Sequence, residues 1–393
     1  MIRSLIRFKA LLAISGIAVL VAGCGGSTAA APPKADVKFG LIYSQTGVLA
    51  SYGKEYLDGF NIGLKYVTKG TGMVNGHKIV VSTNDDAGDP AKAVSIAKDL
   101  IGQGYHIIGG SASSGVALQV APIAAQNKVL FISGAAATDA ITGINKYTFR
   151  SGRQSVQDVL TAKAMLGDVT GKKVLVFAQD SAFGQGNVAA VKAVFSGATV
   201  TSLLVPLSAS DFTAFAKQAR DAKPDLIFVA WAGATAQSMW QAMAQQGAAD
   251  SSTVVTGLAD KVTWPIFGTA GSKISLLAHY FQGAANNSVS TYLVNEETKA
   301  GSFSDLFTPD GFVTAQLLAH AIEKADGDTN VDAMISALEG YSFLAPKGQE
   351  TVRAADHAML QPMFVVKLSQ SGTDFTAQLV KTLSPQDTAP PPH

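Results

Sequence analysis

The sequence has little charge, almost no cysteine and no apolar run long enough to span a bilayer comfortably. Charged residues make up 15% of the 393 residues, whereas about a quarter is usual in globular domains. The formal net charge of +1 offers no basic field, so nucleic acid is not an expected partner. The single cysteine, Cys24, has no intrachain partner, so the core must supply the stability. With 47% apolar residues, the chain can bury a sizeable core and is long enough for two domains.

The N-terminal residues have the pattern of an export signal. Basic residues precede an uncharged stretch, 10–23, which is about the length of a signal-peptide core. The stretch ends in "VAGC", and small residues before a cysteine are typical of a bacterial lipoprotein cleavage site. We therefore predict a signal peptide at 1–23, a lipid on Cys24 and a flexible tether at 24–36. The protein is expected outside the cytoplasm, anchored to the cell membrane by its lipid.

From Val37 onward, β-branched apolar runs alternate with helical patterns. The runs "VKFGLIY", "HKIVVSTND" and "YHIIGG" are each followed by a segment with helical spacing, and a second such series begins after "KYTFR". Buried strands separated by helices indicate a parallel sheet that is covered on both faces. The two series predict two doubly wound α/β lobes. The C-terminal residues 372–393 are expected to be disordered.

Loops at the carboxyl ends of the predicted strands form the expected ligand site, because open parallel sheets bind ligands there. They are rich in Gly, Ala, Ser and aromatic residues and poor in charge, which suits a cleft that closes on a small organic molecule. Ordinary core packing is the alternative for each aromatic ring. The candidate apolar walls are Tyr52, Phe183 and Trp231. The candidate polar anchors are Ser113, Thr138 and Asp260.

The stretch "GGSASSG" (109–115) joins a strand to a helix. Gly109 and Gly110 allow a tight turn, and Ser113 or Ser114 falls at the N-cap of the helix. The serine hydroxyl can simply cap free helix N–H groups. Alternatively, the hydroxyls and the free amides together bind a carboxylate. The position at the carboxyl end of a strand favours the second interpretation.

Other motifs suggest cofactors or catalysis less well. "GQGNVA" (184–189) matches a dinucleotide fingerprint, but no acidic residue follows at the required distance, so NAD is not expected. "NDDAGDP" (84–90) lacks the spacing of a calcium loop, and Asp89 before Pro90 is better explained as a helix cap. The six histidines are scattered singly, without an HExxH motif or a Cys/His cluster. We therefore predict no metal, no cofactor and no enzyme activity.

Several stretches resemble the extracytoplasmic solute-binding proteins of branched-chain amino acid ABC transporters, the leucine/isoleucine/valine-binding type. In chain order they are "FGLIYSQTGVLASYGKEYLDGFNIGLKYV", "NDDAGDPAKAVSIAKDLI", "IIGGSASSGVALQVAPIA", "LFISGAAATDAITG", "YTFR", "DSAFGQG" and "VRAADHAMLQPMFVVKL". The resemblance covers roughly 36–370. It implies a type I periplasmic-binding fold, with two doubly wound parallel-sheet lobes, three crossovers and a ligand cleft between the lobes.

The resemblance also implies a function and a division of the chain. A monomer would bind an amino acid, an amide, or an aromatic or other organic acid and deliver it to permease subunits. The alternative is a sensor module for a partner membrane protein. The expected first lobe comprises 37–150 and 284–340, and the second comprises 151–283 and 341–371. The crossovers are expected near 150–154, 280–285 and 340–343.

Individual site residues follow from the resemblance in part. Ser113, next to Ser114, corresponds to the family serine that holds the ligand carboxylate, and Tyr52 corresponds to an aromatic residue that lines the cleft. Phe183 stands where members of the family often carry Tyr. The loop "SGAAATD" implies that the Ala136 carbonyl and the Thr138 hydroxyl surround an ammonium group.

The loop "TGLADKVTW" departs from the family pattern. The ammonium-binding acid of the family falls at Ala259 in a gapless comparison, with Asp260 adjacent. An inward-pointing Asp260 predicts an amino acid or an amide as ligand. If Asp260 points outward, an aromatic or other carboxylic acid is equally expected.

Overall fold

The computed structural model describes residues 34–250, 252–267 and 274–392. The predicted signal peptide, Cys24 and most of the tether therefore lie outside the described residues. Two helix-covered sheets form two lobes, with a small third sheet against the first lobe. Within the described part, no helix has both the length and the apolar character needed to cross a membrane.

The strands and helices alternate along the chain as expected for an α/β protein. The strands are β1 (Val37–Tyr43), β2 (Met73–Val74), β3 (His77–Asp85), β4 (Ile107–Gly109), β5 (Leu130–Ser133), β6 (Thr148–Arg150), β7 (Lys173–Gln179), β8 (Thr199–Val205), β9 (Leu226–Ala230), β10 (Thr253–Gly257), β11 (Ile274–Ala278), β12 (Ser342–Ala345), β13 (Gly348–Val352), β14 (Met359–Leu360), β15 (Met363–Ser371) and β16 (Asp374–Leu383). The helices are α1 (Ala50–Val67), α2 (Pro90–Gly102), α3 (Ser114–Gln126), α4 (Ser155–Leu166), α5 (Ala182–Val194), α6 (Thr213–Asp221), α7 (Ala236–Gln245), α8 (Trp264–Phe267), α9 (Ser288–Lys299), α10 (Thr308–Ala325) and α11 (Val331–Leu338).

The first lobe is built on a sheet with the strand order β2-β3-β1-β4-β5-β6. All neighbouring strands are parallel except β2 and β3. Leu41 faces a core formed with α1, α10 and α11, whereas Ile42 faces α2 and α3. Both faces of β1 are therefore buried, which explains its continuous apolar sequence.

Helices α1 and α10 approach each other closely because each places a glycine against the backbone of the other. A Cβ on Gly59 would lie 1.8 Å from the Thr308 carbonyl oxygen, and one on Gly311 would lie 1.9 Å from the Tyr56 carbonyl oxygen. No larger residue fits at either position without moving a helix. This contact attaches α10, which is distant in sequence, to the first lobe.

The second lobe is built on a sheet with the strand order β16-β15-β11-β10-β9-β7-β8. The strands from β11 to β8 are parallel, and β15 and β16 add an antiparallel edge. Helices α4 and α5 cover one face, whereas α6, α7 and α8 cover the other. The carboxyl ends of the parallel strands in both lobes lead into the loops that line the cavity described below.

The chain returns to the second lobe later than the resemblance implies, so the expected third crossover at 340–343 is wrong. Strands β12, β13 and β14 form an antiparallel sheet. Phe343, Val352 and Met359 from these strands are buried in the first-lobe core. Burial of these side chains holds 342–360 on the first lobe, and the chain crosses between β14 and β15.

The expected disorder of 372–393 is also wrong. Strand β16 pairs with β15 along its whole length through a two-residue turn. Gly372 has a φ of +61° in that turn, a conformation that favours glycine. Farther on, Arg353 Nη1 donates a hydrogen bond to the Pro390 carbonyl oxygen at 2.7 Å. Backbone pairing and this side-chain contact order a segment whose composition lacks a strong strand pattern.

Two motifs weighed in the sequence have structural roles. Asp89 caps α2, accepting hydrogen bonds from the backbone N–H groups of Ala91 and Lys92. Gly184 lies inside α5, where a Cβ would approach the Gln179 carbonyl oxygen to 1.9 Å. The glycines of "GQGNVA" therefore belong to a helix that packs tightly on the preceding strand end, and do not form a phosphate-binding turn.

Candidate ligand-binding site

A cavity of about 370 Å³ lies between the two lobes and receives side chains from both. The loops after β1, β3, β4 and β5 line it from the first lobe, and those after β7, β9 and β10 line it from the second. Cavities of roughly 300 to 1,000 Å³ are typical of small-molecule sites. Its location at the carboxyl ends of parallel strands agrees with the expectation from sequence.

The N-terminus of α3 opens on this cavity. Ser113 is its N-cap, and Ser113 Oγ accepts a hydrogen bond from the Val116 backbone N–H at a long 3.4 Å. Ser114 Oγ accepts from the Thr138 N–H at 3.2 Å. Each hydroxyl therefore uses a lone pair within the protein and keeps its proton for another acceptor. The amides of the first helical turn have no partner within the helix, so the site presents several donors together.

A second helix N-terminus reaches the same cavity from the other lobe. Ser181 caps α5, and its Oγ accepts from the Gly184 N–H at 3.1 Å. Ser181, Ala182 and Phe183 all line the cavity. Both helix ends carry partial positive charge, so an anion between them is stabilised from both lobes. Ser181 is not among the candidates predicted from the sequence, although a Ser at the start of a helix after a strand is a signal that could have identified it.

The three candidate aromatic residues all line the cavity. The Tyr52 hydroxyl accepts a hydrogen bond from the Gly233 N–H at 3.2 Å, which joins the two lobes directly. Trp231 stacks on Phe177 with ring centroids 5.6 Å apart. Phe183 is half-buried at the start of α5. The walls therefore combine core packing with exposure to the cavity.

The close contact between the lobes depends on a glycine. Gly233 has a φ of +79°, and a Cβ there would lie 2.2 Å from the Val48 carbonyl oxygen. That oxygen accepts a hydrogen bond from the Ala234 N–H at 2.9 Å. The hydrogen bonds of Tyr52 and Val48 hold the two rims of the cavity together.

Three of the candidate residues, Ala136, Thr138 and Asp260, do not line the cavity. The carbonyl oxygens of Ala136 and Thr138 instead accept hydrogen bonds from the buried Arg150 guanidinium, at 2.8 and 3.2 Å. Their neighbours Ala135 and Ala137 face the cavity. The implied ammonium contacts at Ala136 and Thr138 are therefore corrected. The Ala136 carbonyl is taken by Arg150. The Thr138 hydroxyl accepts a hydrogen bond from the Ala140 N–H at 3.4 Å, outside the cavity lining.

Asp260 is buried outside the cavity lining, whereas Ala259 lines it. The Asp260 carboxylate accepts a hydrogen bond from the Thr263 hydroxyl in the turn that follows. Because its side chain points into this turn, Asp260 does not serve as a polar anchor in the cavity. At Ala259, where the resemblance placed the family's ammonium-binding acid, a methyl group faces the cavity.

The sequence patterns do not single out three titratable residues of the lining, Arg153, Asp158 and His279. Arg153 Nε lies 3.3 Å from Asp158 Oδ2, and the guanidinium carbon lies 5.8 Å from the centre of the Phe307 ring. Burial raises the pKa of Asp158, and Arg153 opposes this shift. The pair adds no net charge. The sequence feature that could have indicated this pair is Arg153, a charged residue within the expected first crossover, beside loops that are otherwise poor in charge.

His279 follows β11 and is 4% exposed. Burial lowers its pKa well below 6.5, and the positive charges of Arg153 and Lys347 lower it further. A hydrogen bond to the Leu306 backbone opposes these effects. The imidazole is therefore neutral at physiological pH. In the part of the chain that the structure describes, no group of three or more His, Cys, Asp or Glu side chains is arranged to hold a metal ion.

Comparisons of the chain with family models, curated proteins and solved structures all indicate the same family. A family model described as periplasmic binding protein matches residues 36–373. A Leu/Ile/Val-binding protein from Rhizobium johnstonii is 28% identical over 315 residues, which cover 78% of this chain and 84% of the relative. An ABC-type branched-chain amino acid transporter structure from Rhodopseudomonas palustris is 33% identical, with a TM-score of 0.71 over 90% of this chain and 98% of that one.

A third relative was solved with a ligand. It is a solute-binding protein of an ABC transporter from Rhodopseudomonas palustris BisB5, in complex with 3,4-dihydroxybenzoic acid. It is 25% identical, with a TM-score of 0.78, and the match covers 89% of this chain and 97% of that one. Similar chains therefore include proteins named for aliphatic amino acids and one that holds an aromatic acid.

Proposed function

Because the chain belongs to the periplasmic binding protein family, we propose that it captures a small organic acid between its lobes and delivers it to the permease of an ABC transporter. The fold and the family predicted from the sequence are confirmed. The family is one of extracytoplasmic solute-binding proteins, and this chain works by reversible binding.

The observation that carries the proposal is the pair of helix N-termini, α3 and α5, which open on one apolar cavity from opposite lobes. A carboxylate between them accepts hydrogen bonds from Ser113 and from the amides of the first turn of α3. The same anion interacts favourably with the α5 end. Such a ligand stabilises the closed arrangement because it contacts both lobes at once.

The organic part of the ligand lies against aromatic and aliphatic walls. Tyr52, Phe183 and Trp231 supply flat apolar surface, and the volume of about 370 Å³ is large enough for a benzoate or a leucine skeleton. The relative that holds 3,4-dihydroxybenzoic acid supports an acid of this class.

An ammonium group has no dedicated partner in this cavity. Among the described lining residues, Asp158 is the one acid, and its carboxylate already pairs with Arg153. Ala259 presents a methyl group where a carboxylate would be required. Burying an unpaired ammonium costs several kcal/mol, so the proposed ligand is a carboxylic acid without a free amine.

Calorimetric titration of the purified protein tests this function. Benzoate and isocaproate should bind, whereas benzamide, which lacks the charge, should bind at least about tenfold more weakly, since hydrogen bonds to charged groups contribute roughly 1.5 to 3 kcal/mol. L-leucine should bind more weakly than isocaproate, which has the same skeleton without the ammonium. Tighter binding of L-leucine would contradict the proposal and would assign Asp158 to the ammonium.

The membrane anchor belongs to the same proposal. The sequence "VAGC" supports processing before Cys24 and lipidation of its thiol, which keeps the binding protein near its permease. Cys24→Ser should release the protein from the membrane fraction or leave it unprocessed, because acyl chains supply the membrane affinity. Metabolic labelling with a fatty acid measures this directly, and a wild-type protein without label would contradict the anchor.

A further inference from the structure

Arg153 brings a hydrogen-bond donor to the cavity that none of the described residues uses. Its guanidinium lies beside Asp158, Ala135 and Phe307, which line the cavity as Arg153 itself does. Nε lies 3.4 and 3.3 Å from the two carboxylate oxygens of Asp158, and Nη1 donates to the Ala135 carbonyl oxygen at 3.4 Å. Nη2 donates to no residue that the structure describes.

Nη2 is accessible, and its role is fixed by its chemistry. Arg153 is 8% exposed, and the buried polar atoms that lack a partner in the described part of the chain do not include Nη2. The atom therefore retains accessible surface. A guanidinium is not deprotonated in proteins, so Nη2 can only donate. A ligand atom that contacts Nη2 must accept a hydrogen bond.

An open acceptor lies beside this donor. The Nε and Nη2 protons of a guanidinium point to the same edge of the planar group, and Asp158 lies on that edge because it pairs with Nε. Asp158 is 5% exposed and lines the cavity. A carboxylate has about four lone-pair positions, and the single Nε proton leaves most of them open. A ligand group at Nη2 therefore also lies next to the Asp158 carboxylate.

The pair restricts the kind of group that fits against it. A second carboxylate on the ligand accepts from Nη2 but places two anions side by side, which is unfavourable. An ammonium donates to Asp158 but has no lone pair for Arg153. An ether oxygen accepts without donating. A hydroxyl or a primary carboxamide accepts, donates and carries no charge, so it satisfies both partners.

We propose that the Arg153–Asp158 pair binds an uncharged hydroxyl or carboxamide of the ligand, away from its carboxylate, and that the protein prefers acids that carry such a group. This inference rests on the proposed function, because the carboxylate is assigned to Ser113 and the end of α3. Phe307 connects the apolar wall to the pair: its ring centre lies 4.5 Å from that of Tyr52 and 5.8 Å from the Arg153 guanidinium carbon. A skeleton against Tyr52 therefore extends towards the pair.

Calorimetry with substituted benzoates tests the preference in the wild type. The better of the meta and para isomers of hydroxybenzoate or carbamoylbenzoate should bind at least about tenfold more tightly than the matching methylbenzoate, because a methyl group leaves both members of the pair unsatisfied. Methoxybenzoate, which accepts without donating, should bind more weakly than hydroxybenzoate. Isophthalate and terephthalate, which carry a second carboxylate, should also bind more weakly.

An aliphatic pair of acids covers a ligand without an aromatic ring. Succinamate has the shape of isocaproate, with a carboxamide in place of the terminal isopropyl group. It should bind more tightly than isocaproate if the pair receives the amide. Comparison of hydroxybenzoate with the two amides then shows whether the preferred group is a hydroxyl or a carboxamide.

A double substitution assigns the preference to the pair. Arg153→Met with Asp158→Leu removes both charges together, so that no unpaired buried charge remains, and the preference should fall to within about threefold. Arg353→Met with Asp356→Leu is the matched control. Arg353 Nη2 lies 2.6 Å from Asp356 Oδ2 at a largely buried position outside the cavity lining. The control should keep the full preference.

The outcomes separate this inference from the proposed function. Three results overturn the inference and leave the function standing: equal binding of the hydroxy, methoxy and methyl acids with no gain from an amide, tightest binding of a dicarboxylate, or a preference that persists in the double variant. Failure of every acid to bind the wild type overturns the proposed function and the inference with it.

A crystal structure of the wild type with its preferred hydroxybenzoate or amide covers the case in which a double variant does not fold. The hydroxyl or carboxamide should lie within about 3.2 Å of Arg153 Nη2 and of an Asp158 carboxylate oxygen. A polar group that contacts neither residue would overturn the proposal.

Discussion

Replacement of Ser113 by alanine separates ligand binding from helix capping at one position. In the structure Ser113 Oγ accepts from the Val116 N–H at 3.4 Å, a long contact, and Ser113 also lines the cavity. The hydroxyl can accept within the helix and donate to a ligand at the same time. Capping and binding therefore coexist, and each has its own measurable consequence.

The expected magnitudes differ. A hydrogen bond from the hydroxyl to a carboxylate contributes roughly 1.5 to 3 kcal/mol, so Ser113→Ala should weaken binding by about ten- to a hundredfold. Loss of an N-cap costs about 0.5 to 2 kcal/mol of folding stability. The length of the Val116 contact places Ser113 at the low end of that range. We therefore expect a large loss of affinity with a small loss of stability.

Asn330 supplies the matched control. It caps α11, where its side chain accepts from the Ala333 N–H at 3.0 Å, and it lies outside the cavity lining. Asn330→Ala should lower the unfolding midpoint at least as much as Ser113→Ala while binding benzoate normally. Chemical denaturation and calorimetry on both variants give the comparison. Normal affinity in Ser113→Ala, or an equal affinity loss in Asn330→Ala, would refute the assignment of the carboxylate to this serine.

Three further predictions concern the cavity walls and a buried carboxyl. Ala259→Glu should raise the affinity for L-leucine relative to isocaproate at least tenfold in calorimetry, because a paired ammonium avoids a penalty of several kcal/mol; an unchanged ratio would place Ala259 away from the ligand. Burial raises the pKa of Glu350 from 4.5 to about 7, so the folded state binds more protons than the unfolded state between these values. This group's contribution to the unfolding free energy is therefore largest below pH 4.5 and falls by about 3 kcal/mol as the pH rises through 7. Glu350→Gln should lack this part of the pH dependence of the unfolding free energy. Parallel plots of unfolding free energy against pH for wild type and variant would be inconsistent with it. Trp231→Phe should reduce the ligand-induced change in tryptophan emission, with the remainder due to Trp240, which also lines the cavity; a full remaining signal would assign the response to Trp240.

Strand β1 was predictable because its side chains are buried on both faces, and β3 was predictable because β-branched residues and clear polar boundaries mark it. "VKFGLIY" corresponds residue for residue to β1 and "HKIVVSTND" to β3, since the apolar pattern and the flanking polar residues define both ends. The same physical rule led to the loops that line the cavity. Of the six residues that the rule offered, Ser113, Tyr52, Phe183 and Trp231 line the cavity, whereas Thr138 and Asp260 do not.

The antiparallel additions were not predictable from local pattern. Strand β16 is mostly exposed, and it is ordered by backbone pairing with β15 and not by an apolar face. In β12 and β13, Phe343 and Val352 contribute to the first-lobe core across a long sequence separation. Neither feature has a signal in a window of ten residues, because the stabilising partner is distant in sequence.

The polar chemistry of the cavity was predictable only where it involves helix ends. Arg153, Asp158 and His279 come together because two crossovers converge beside Phe307, a tertiary event that no spacing encodes. The orientation of Asp260 likewise depends on its turn with Thr263. One residue of register decides whether a carboxylate or a methyl group faces the ligand, so sequence comparison alone leaves the ligand class open.

The most direct test of the central claim is a crystal structure of the protein with the acid that binds most tightly in calorimetry. We expect the carboxylate within about 3 Å of Ser113 Oγ and of the first amides of α3, with the organic skeleton between Tyr52 and Trp231. A ligand bound outside the cleft between the lobes, or a carboxylate held by Arg153 with the end of α3 facing apolar atoms, would contradict it.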